Sequence, residues 1–137
     1  MYLLDTNVIS ELRRPKPHGA VVAWLESVDD SLLHLSAVTL GEIQMGIERS
    51  RMLDAAKAEA LSHWLGAVED TYNVLPMPGK AFRLWAQLMH RRSDTLNEDA
   101  MIAATAKLGG MVVVTRNVND FLPFDLPILN PFESIPA

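Results

Sequence analysis

The run Met111-Val112-Val113-Val114 contains no polar position and is bounded by Gly109-Gly110 before it and Thr115-Arg116-Asn117 after it. Such a strand has no face to turn to water, so both faces must be covered, as in a parallel sheet flanked by helices. The rest of the chain supplies the partners. Residues 2–4 predict a first short strand that stops at Asp5-Thr6-Asn7. A short helix follows over about 8–12, broken by Arg13-Arg14-Pro15-Lys16-Pro17. A helix is expected over 20–28, with Val21, Val22, Trp24 and Leu25 as its apolar positions, and then a second strand over 32–35. Ser36 or Ala37 opens a helix running to about Arg49, with Leu40, Ile43 and Ile47 on one face, and another long helix covers 54–71. Val74-Leu75 reads as a third strand cut short by Pro76, and Pro78 suits the first turn of a helix carrying Phe82, Leu84, Trp85, Leu88 and Met89. Thr95-x-x-Glu98 reads as a capping box before a helix ending near Gly109-Gly110, and Pro127-Ile128-Leu129 is a candidate fifth strand. The alternation predicts an α/β fold: a mostly parallel central sheet of four to five strands with helices on both faces.

Composition narrows the chemistry. The 137 residues fit one domain spanning 1–137. No apolar run approaches the ~20 residues of a membrane span, and the N-terminus lacks the pattern of a signal peptide, so a cytoplasmic protein without membrane contact is expected. The absence of cysteine excludes disulfides and thiolate metal sites. His18, His34, His63 and His90 are scattered, with no H-x-x-x-H pair. A metal site would therefore use oxygen ligands, which select hard ions such as Mg²⁺ or Mn²⁺. The net charge of −5 argues against a nonspecific binder of long nucleic acid. It leaves room for a nuclease whose catalytic carboxylates coexist with a local basic rim.

Four acids are expected at one end of the sheet. Parallel strands all finish at one edge, and ligands of open α/β sheets bind there. Asp5 directly follows the first strand, Glu42 lies in the early turns of the helix after the second, and Asp120 follows the fourth by a short loop. Asp99 opens the helix leading into the fourth strand, and that helix must start at the edge where the strands end. Glu42, Asp99 and Asp120 lie 37, 94 and 115 residues after Asp5, so topology alone brings them to it. Asp99 also shares a helical stripe with Ile102, Ala103 and Ala106. Its helix is apolar almost all round apart from Thr105 and Lys107, which predicts burial. A carboxylate at the mouth of a buried helix is costly unless paired, and a divalent cation would pair it. Plainer readings stand beside each acid: Asp5 and Asn7 as caps of the helix at Val8, Asp99 as a complement to the helix dipole, Glu42 as a solvated residue, and Asp120 as a turn residue.

These residues carry a family resemblance. Leu3-Leu4-Asp5-Thr6-Asn7-Val8-Ile9-Ser10-Glu11-Leu12 resembles the opening motif of PIN-domain toxins of the VapC/FitB-like group. So do Ser36-Ala37-Val38-Thr39-Leu40-Gly41-Glu42, the stretch from Asn97-Glu98-Asp99 to Ala106, and Val114-Thr115-Arg116-Asn117-Val118-Asn119-Asp120-Phe121. Ile128-Leu129-Asn130-Pro131-Phe132 is similar to the family's usual ending. The resemblance covers essentially the whole chain, in order. It implies a PIN-domain fold and Mg²⁺- or Mn²⁺-dependent RNA cleavage, by the toxin of a type II toxin–antitoxin pair. The family's metal-site acids map onto Asp5, Glu42, Asp99 and Asp120, with Thr6, Asn7, Thr115 and Asn117 as supporting groups. Many relatives have an acid where this chain has Asn117, so the fourth role rests on Asp120 or is partly filled by Asn117. A homodimer, a small antitoxin partner, and DNA contact only through the toxin–antitoxin complex are implied as well.

The expected mechanism is metal-assisted hydrolysis of a phosphodiester. Asp5, Asp99 and Asp120 are the expected metal ligands, and Glu42 would orient or deprotonate the water, or ligate. Thr115 and Asn117 would hydrogen-bond the acids or a phosphate. Arg13, Arg14, Lys16 and Arg116 are candidates for meeting the RNA backbone, against the plainer reading that they are exposed solubility residues. Two rivals remain. One is a phosphatase of the haloacid-dehalogenase type, which wants a second acid where Asn7 stands. The other is a non-catalytic interaction protein that uses the helices around 40–47 and 54–68 as a docking surface; their apolar positions otherwise read as plain core.

Overall fold

Strand β1 (Tyr2–Leu4) is the middle of a five-stranded sheet in the computed structural model, which describes residues 1–133. The last four positions of the expected 1–137 domain lie outside the described residues. β1 is flanked by β2 (Leu33–Ser36) and β4 (Val112–Val114), with β3 (Asn73–Leu75) and β5 (Ile128–Leu129) outermost. Every pairing is parallel, and the register aligns Leu4 with Leu35 on one side and Val114 on the other. The three inner strands therefore finish level, and the residues that follow them emerge side by side.

Among the described residues seven α-helices connect and cover the strands: α1 (Thr6–Glu11), α2 (Gly19–Ser27), α3 (Ala37–Arg51), α4 (Ala55–Thr71), α5 (Gly79–Met89), α6 (Asn97–Gly109) and α7 (Val118–Phe121). Consecutive strand residues point to opposite faces, and the two layers follow from that. Leu3 and Val113 pack against Ala103 and Ala106 of α6, Phe121 of α7 and the α5 side chains Trp85 and Leu88. Leu4, Leu35 and Val114 pack on the other face against Val8 and Ile9 of α1, Val21 and Trp24 of α2 and Val68 of α4. Leu3 and Leu4 are both fully buried, as a doubly covered strand requires. Truncating either to Ala would cost ~2–5 kcal/mol. Ile47, Ala58 and Leu65 form a further cluster joining α3 to α4, with Leu40 and Ile43 packed on it. Ile47, Ala58 and Leu65 are core, Leu40, Ile43, Leu61 and Trp64 are half-buried against them, and Met45 is exposed.

α6 is buried at Ala100 and from Ile102 to Ala106. Thr105 satisfies its hydroxyl on the Met101 carbonyl at 3.0 Å. Lys107 Nζ donates to the carbonyls of Phe124 and Asp125, both at 2.8 Å, pinning the segment after α7. The helix stops as the glycine pair predicts. Gly110 has φ 63°, and Met111 N returns to Ala106 O at 2.9 Å, the closure of a left-handed cap. A Cβ on Gly109 would stand 2.6 Å from Met111 Cε.

The structure corrects four local expectations. The capping box at Thr95-x-x-Glu98 does not form. Ser93 instead caps a 3-10 turn over Asp94–Leu96, its Oγ accepting from Thr95 N at 3.3 Å, and α6 then starts with no side-chain cap. That intervening turn displaces Thr95 from the capping position. α1 begins at Thr6 rather than Val8, because Asp5 is itself the N-cap; Asn7 lies inside the helix and does not cap it. Pro78 stands at the N-cap of α5, one residue before its first turn. α7 falls where only a short loop was expected, since four residues carry too little periodicity to read.

Candidate active site

Asp5 is 4% exposed and held on every side. Its Oδ1 accepts from Thr6 N at 2.8 Å. Its Oδ2 accepts from Thr115 Oγ1 at 2.8 Å and from Asn7 Nδ2 at 3.0 Å. Thr115 follows β4 as Asp5 follows β1, so parallel register places donor beside acceptor. Thr115 Oγ1 in turn accepts from Asn117 N at 3.0 Å and lies 3.2 Å from Asn7 Nδ2. Asn7 Oδ1 accepts from Arg116 N at 3.1 Å. Asp5 is thus both a helix cap and the centre of a network, and the capping reading accounts for only one of its three bonds.

Glu42 lies in the second turn of α3, and its Oε1 accepts from Thr6 Oγ1 at 3.1 Å. Thr39 Oγ1 is 3.3 Å from the same hydroxyl and is fully buried. Thr6 therefore bridges α1 to α3 and links Glu42 to the Asp5 neighbourhood. Asp99 sits in the first turn of α6, and Asp120 in α7. Asn117 contributes its backbone N–H, while its exposed side chain lines an open cleft with Asp120 and Arg116.

Electrostatics tie the four acids together. Burial raises the Asp5 carboxyl, and Asp120 adds to the rise, against the lowering effect of its three hydrogen bonds. Burial also raises Glu42, with Asp5 and Glu98 adding to it and the Thr6 bond opposing it. Asp99 is pushed up to about 7, first by burial and then by Asp5, Asp120, Glu42 and Glu98. No opposite charge offsets this: the ion pairs among the described residues are Arg14–Glu11, Arg51–Glu48 and Arg51–Glu59. Glu98 and Thr39 belong to the site and were missed in the sequence. Glu98 was assigned to a cap, and Thr39 could have been found from its three-residue spacing to Glu42 on one helix face.

The donor set suits a hard cation, being made of carboxylate, hydroxyl and amide oxygens. Among the described residues no three acidic or histidine side chains converge closely enough to hold an ion by themselves. That is compatible with Mg²⁺, which keeps several of its waters and needs only one or two carboxylates. A cation here would relieve the repulsion that raises Asp99.

Comparison with known proteins places the fold and the family. The family model described as PIN domain matches residues 2–122. The chain is 34% identical to toxin FitB of Neisseria gonorrhoeae, over 96% of this chain and 99% of that protein. It is 35% identical to VapC ribonuclease Y4jK of Sinorhizobium fredii, over 97% of this chain and 99% of that one. A solved structure of FitAB bound to an IR36 DNA fragment superposes with a TM-score of 0.85 at 33% identity, covering 100% of this chain and 99% of the matched one.

Proposed function

The chain belongs to the PIN domain family, and on that premise we propose that it is a metal-dependent endoribonuclease acting as the toxin of a type II toxin–antitoxin pair. The observation that carries the catalytic reading is the gathering of Asp5, Glu42, Asp99 and Asp120, from four separate elements, with no cationic side chain paired to them among the described residues. Asp5, Asp99 and Asp120 would hold Mg²⁺ directly or through the waters it retains, with Mn²⁺ as the alternative. When bound there, such an ion would supply charge neutralisation on the phosphodiester and a water of lowered pKa. Thr115 and Asn7 keep the Asp5 carboxylate fixed in one orientation, which spares reorganisation during the reaction. Glu42, its pKa raised and its carboxylate anchored by Thr6, would orient the attacking water and take its proton, or ligate the ion. Asn117 supports Thr115 through its backbone N–H and lines a cleft with Asp120; our reading gives the fourth acidic role to Asp120, with Asn117 beside it as a neutral group.

The phosphatase alternative loses its footing at Asn7. The side chain there is an amide donor committed to Asp5, not a second acid. The partners proposed for this chain are RNA as substrate, a small antitoxin, DNA through the toxin–antitoxin complex, and a second copy in a homodimer; a single domain spanning 1–137 is proposed as well. No helix among the described residues is long and apolar enough to cross a membrane. The test is expression alone and with the co-purifying partner. Growth arrest relieved by the partner and by Asp5→Asn, with new RNA ends in the arrested cells, is expected. Arrest that persists in Asp5→Asn would refute the assignment.

A further inference from the structure

Beside the acids lies a cleft of ≈ 310 Å³ whose walls include Asn7, Glu11, Arg13, Arg14, Arg116 and Phe132. It gathers three guanidinium groups against one carboxylate, in a chain whose net charge is −5. Glu11 is already engaged: its Oε1 accepts from His18 N at 3.0 Å, and its Oε2 pairs with Arg14 Nε at 3.4 Å. Arg13 and Arg116 have no carboxylate partner among the described residues. Arg116 is also preorganised. Its backbone N–H is fixed by Asn7, and its guanidinium lies over the Phe132 ring, 4.7 Å from the centroid. His18 closes the edge of that ring at 5.4 Å. A guanidinium held over a ring face makes that contact without using its N–H donors, and a free guanidinium fork is the group that grips a phosphate bidentately.

The cleft is joined to the acids by single side chains. Asn7 donates to Asp5 with Nδ2 and accepts from Arg116 with Oδ1. Arg116 is shared with the neighbouring cleft that contains Asp120, and Arg13 with the one that contains Glu42 and Lys57. The basic cleft therefore lies between two clefts that each carry a site acid.

We propose that this cleft seats a backbone phosphate of single-stranded RNA next to the bond to be cut, with Arg116 and Arg13 gripping the phosphate and Glu11 positioning Arg14 at the rim. A polynucleotide repeats its anionic group at every residue, so one strand meets the arginines and the metal-binding acids together. The identity of the strand rests on the nuclease reading; the anion seat rests on the arginines.

The test is fluorescence anisotropy with a labelled single-stranded oligoribonucleotide, in the Asp5→Asn background where the RNA stays whole, across a range of salt. Arg116→Gln and Arg13→Gln should each weaken binding several-fold and make the salt slope shallower by ~0.7. Phe132→Leu, which keeps the guanidinium but removes its stacking partner, should weaken it less. Arg49→Gln, twelve residues along α3 from Ala37 and so ~18 Å from that edge, should leave affinity and slope unchanged. Melting curves check that each variant is folded. Parental affinity in both arginine variants would overturn the proposal. So would an equal loss in Arg49→Gln, which would reduce the effect to net charge. Arginine-dependent binding of polyglutamate, with RNA binding untouched, would assign the cleft to an acidic peptide and overturn it too. If the wild-type chain cuts no RNA while the arginine dependence holds, the seat stands and the nuclease reading falls.

Discussion

Replacing Asp99 by Asn removes the most perturbed charge in the site while keeping its shape. In the folded chain that carboxyl moves from 3.8 up to about 7, through burial first and then through Asp5, Asp120, Glu42 and Glu98. A folded pKa above the unfolded one means that the native state holds an extra proton between the two values. Stability from this group is therefore highest below pH ~4 and is lost as pH rises toward 7. The full shift corresponds to about 4 kcal/mol. Asp99 is only half buried, so solvent screening reduces the penalty to roughly 1–2 kcal/mol. With EDTA at pH 8, Asp99→Asn should melt higher than the wild type by about 4–8 °C for a domain of this size. At pH 4 the two curves should coincide. Millimolar Mg²⁺ should then raise the wild type and leave the variant unmoved, because only the wild type keeps the full ligand set and the ion binds only the folded state. The assay is circular dichroism melting at pH 4, 6 and 8, with EDTA and then with Mg²⁺. Equal or lower melting of the variant at pH 8 in EDTA would refute the claim that uncompensated carboxylates crowd this edge.

Glu42→Gln should lower RNA cleavage by ~10²-fold or more, the range of a positioned proton acceptor, without lowering the melting temperature; wild-type cleavage by that variant would remove Glu42 from the mechanism. Thr115→Val takes a donor from Asp5 and an acceptor from Asn7 and Asn117 N. Urea unfolding should show a loss of ~1–3 kcal/mol, and an unchanged midpoint would contradict the network. Gly110→Ala meets no atom within 4 Å but must hold φ +63°, so the backbone alone should cost ~1–2 kcal/mol in the same assay; a neutral result would mean that the helix end relaxes.

Much of this was legible in the sequence, for a physical reason. Parallel strands with no polar face leave little choice of architecture, so Met111–Val114 and the flanking alternation set the layers, and the shared strand edge set the company of Asp5 and Asp99. Illegible were features that depend on a few residues or on cross-chain contacts. The 3-10 turn at Asp94–Leu96 displaced the capping box, because Ser93 competes with Thr95 for the same turn. α7 is a single turn. Glu98 joins the site through its charge on Glu42 and Asp99, which no local pattern reports, whereas Thr39 leaves only the faint signal of its three-residue spacing to Glu42 on α3. The basic residues after α1 read as one group, yet the fold separates them: Arg13 and Arg14 line the cleft with Arg116, and Lys16 does not. Phe132, read only as part of an ending motif, became the platform for Arg116 because β5 delivers it there.

The most direct test of the central claim is cleavage of RNA by the purified chain, wild type and Asp5→Asn prepared in parallel, with Mg²⁺ and with EDTA. The four-acid centre predicts cleavage by the wild type with Mg²⁺ alone, none with EDTA, and none by Asp5→Asn in either condition, with both proteins folded. Equal cleavage by Asp5→Asn, or cleavage that survives EDTA, would contradict it.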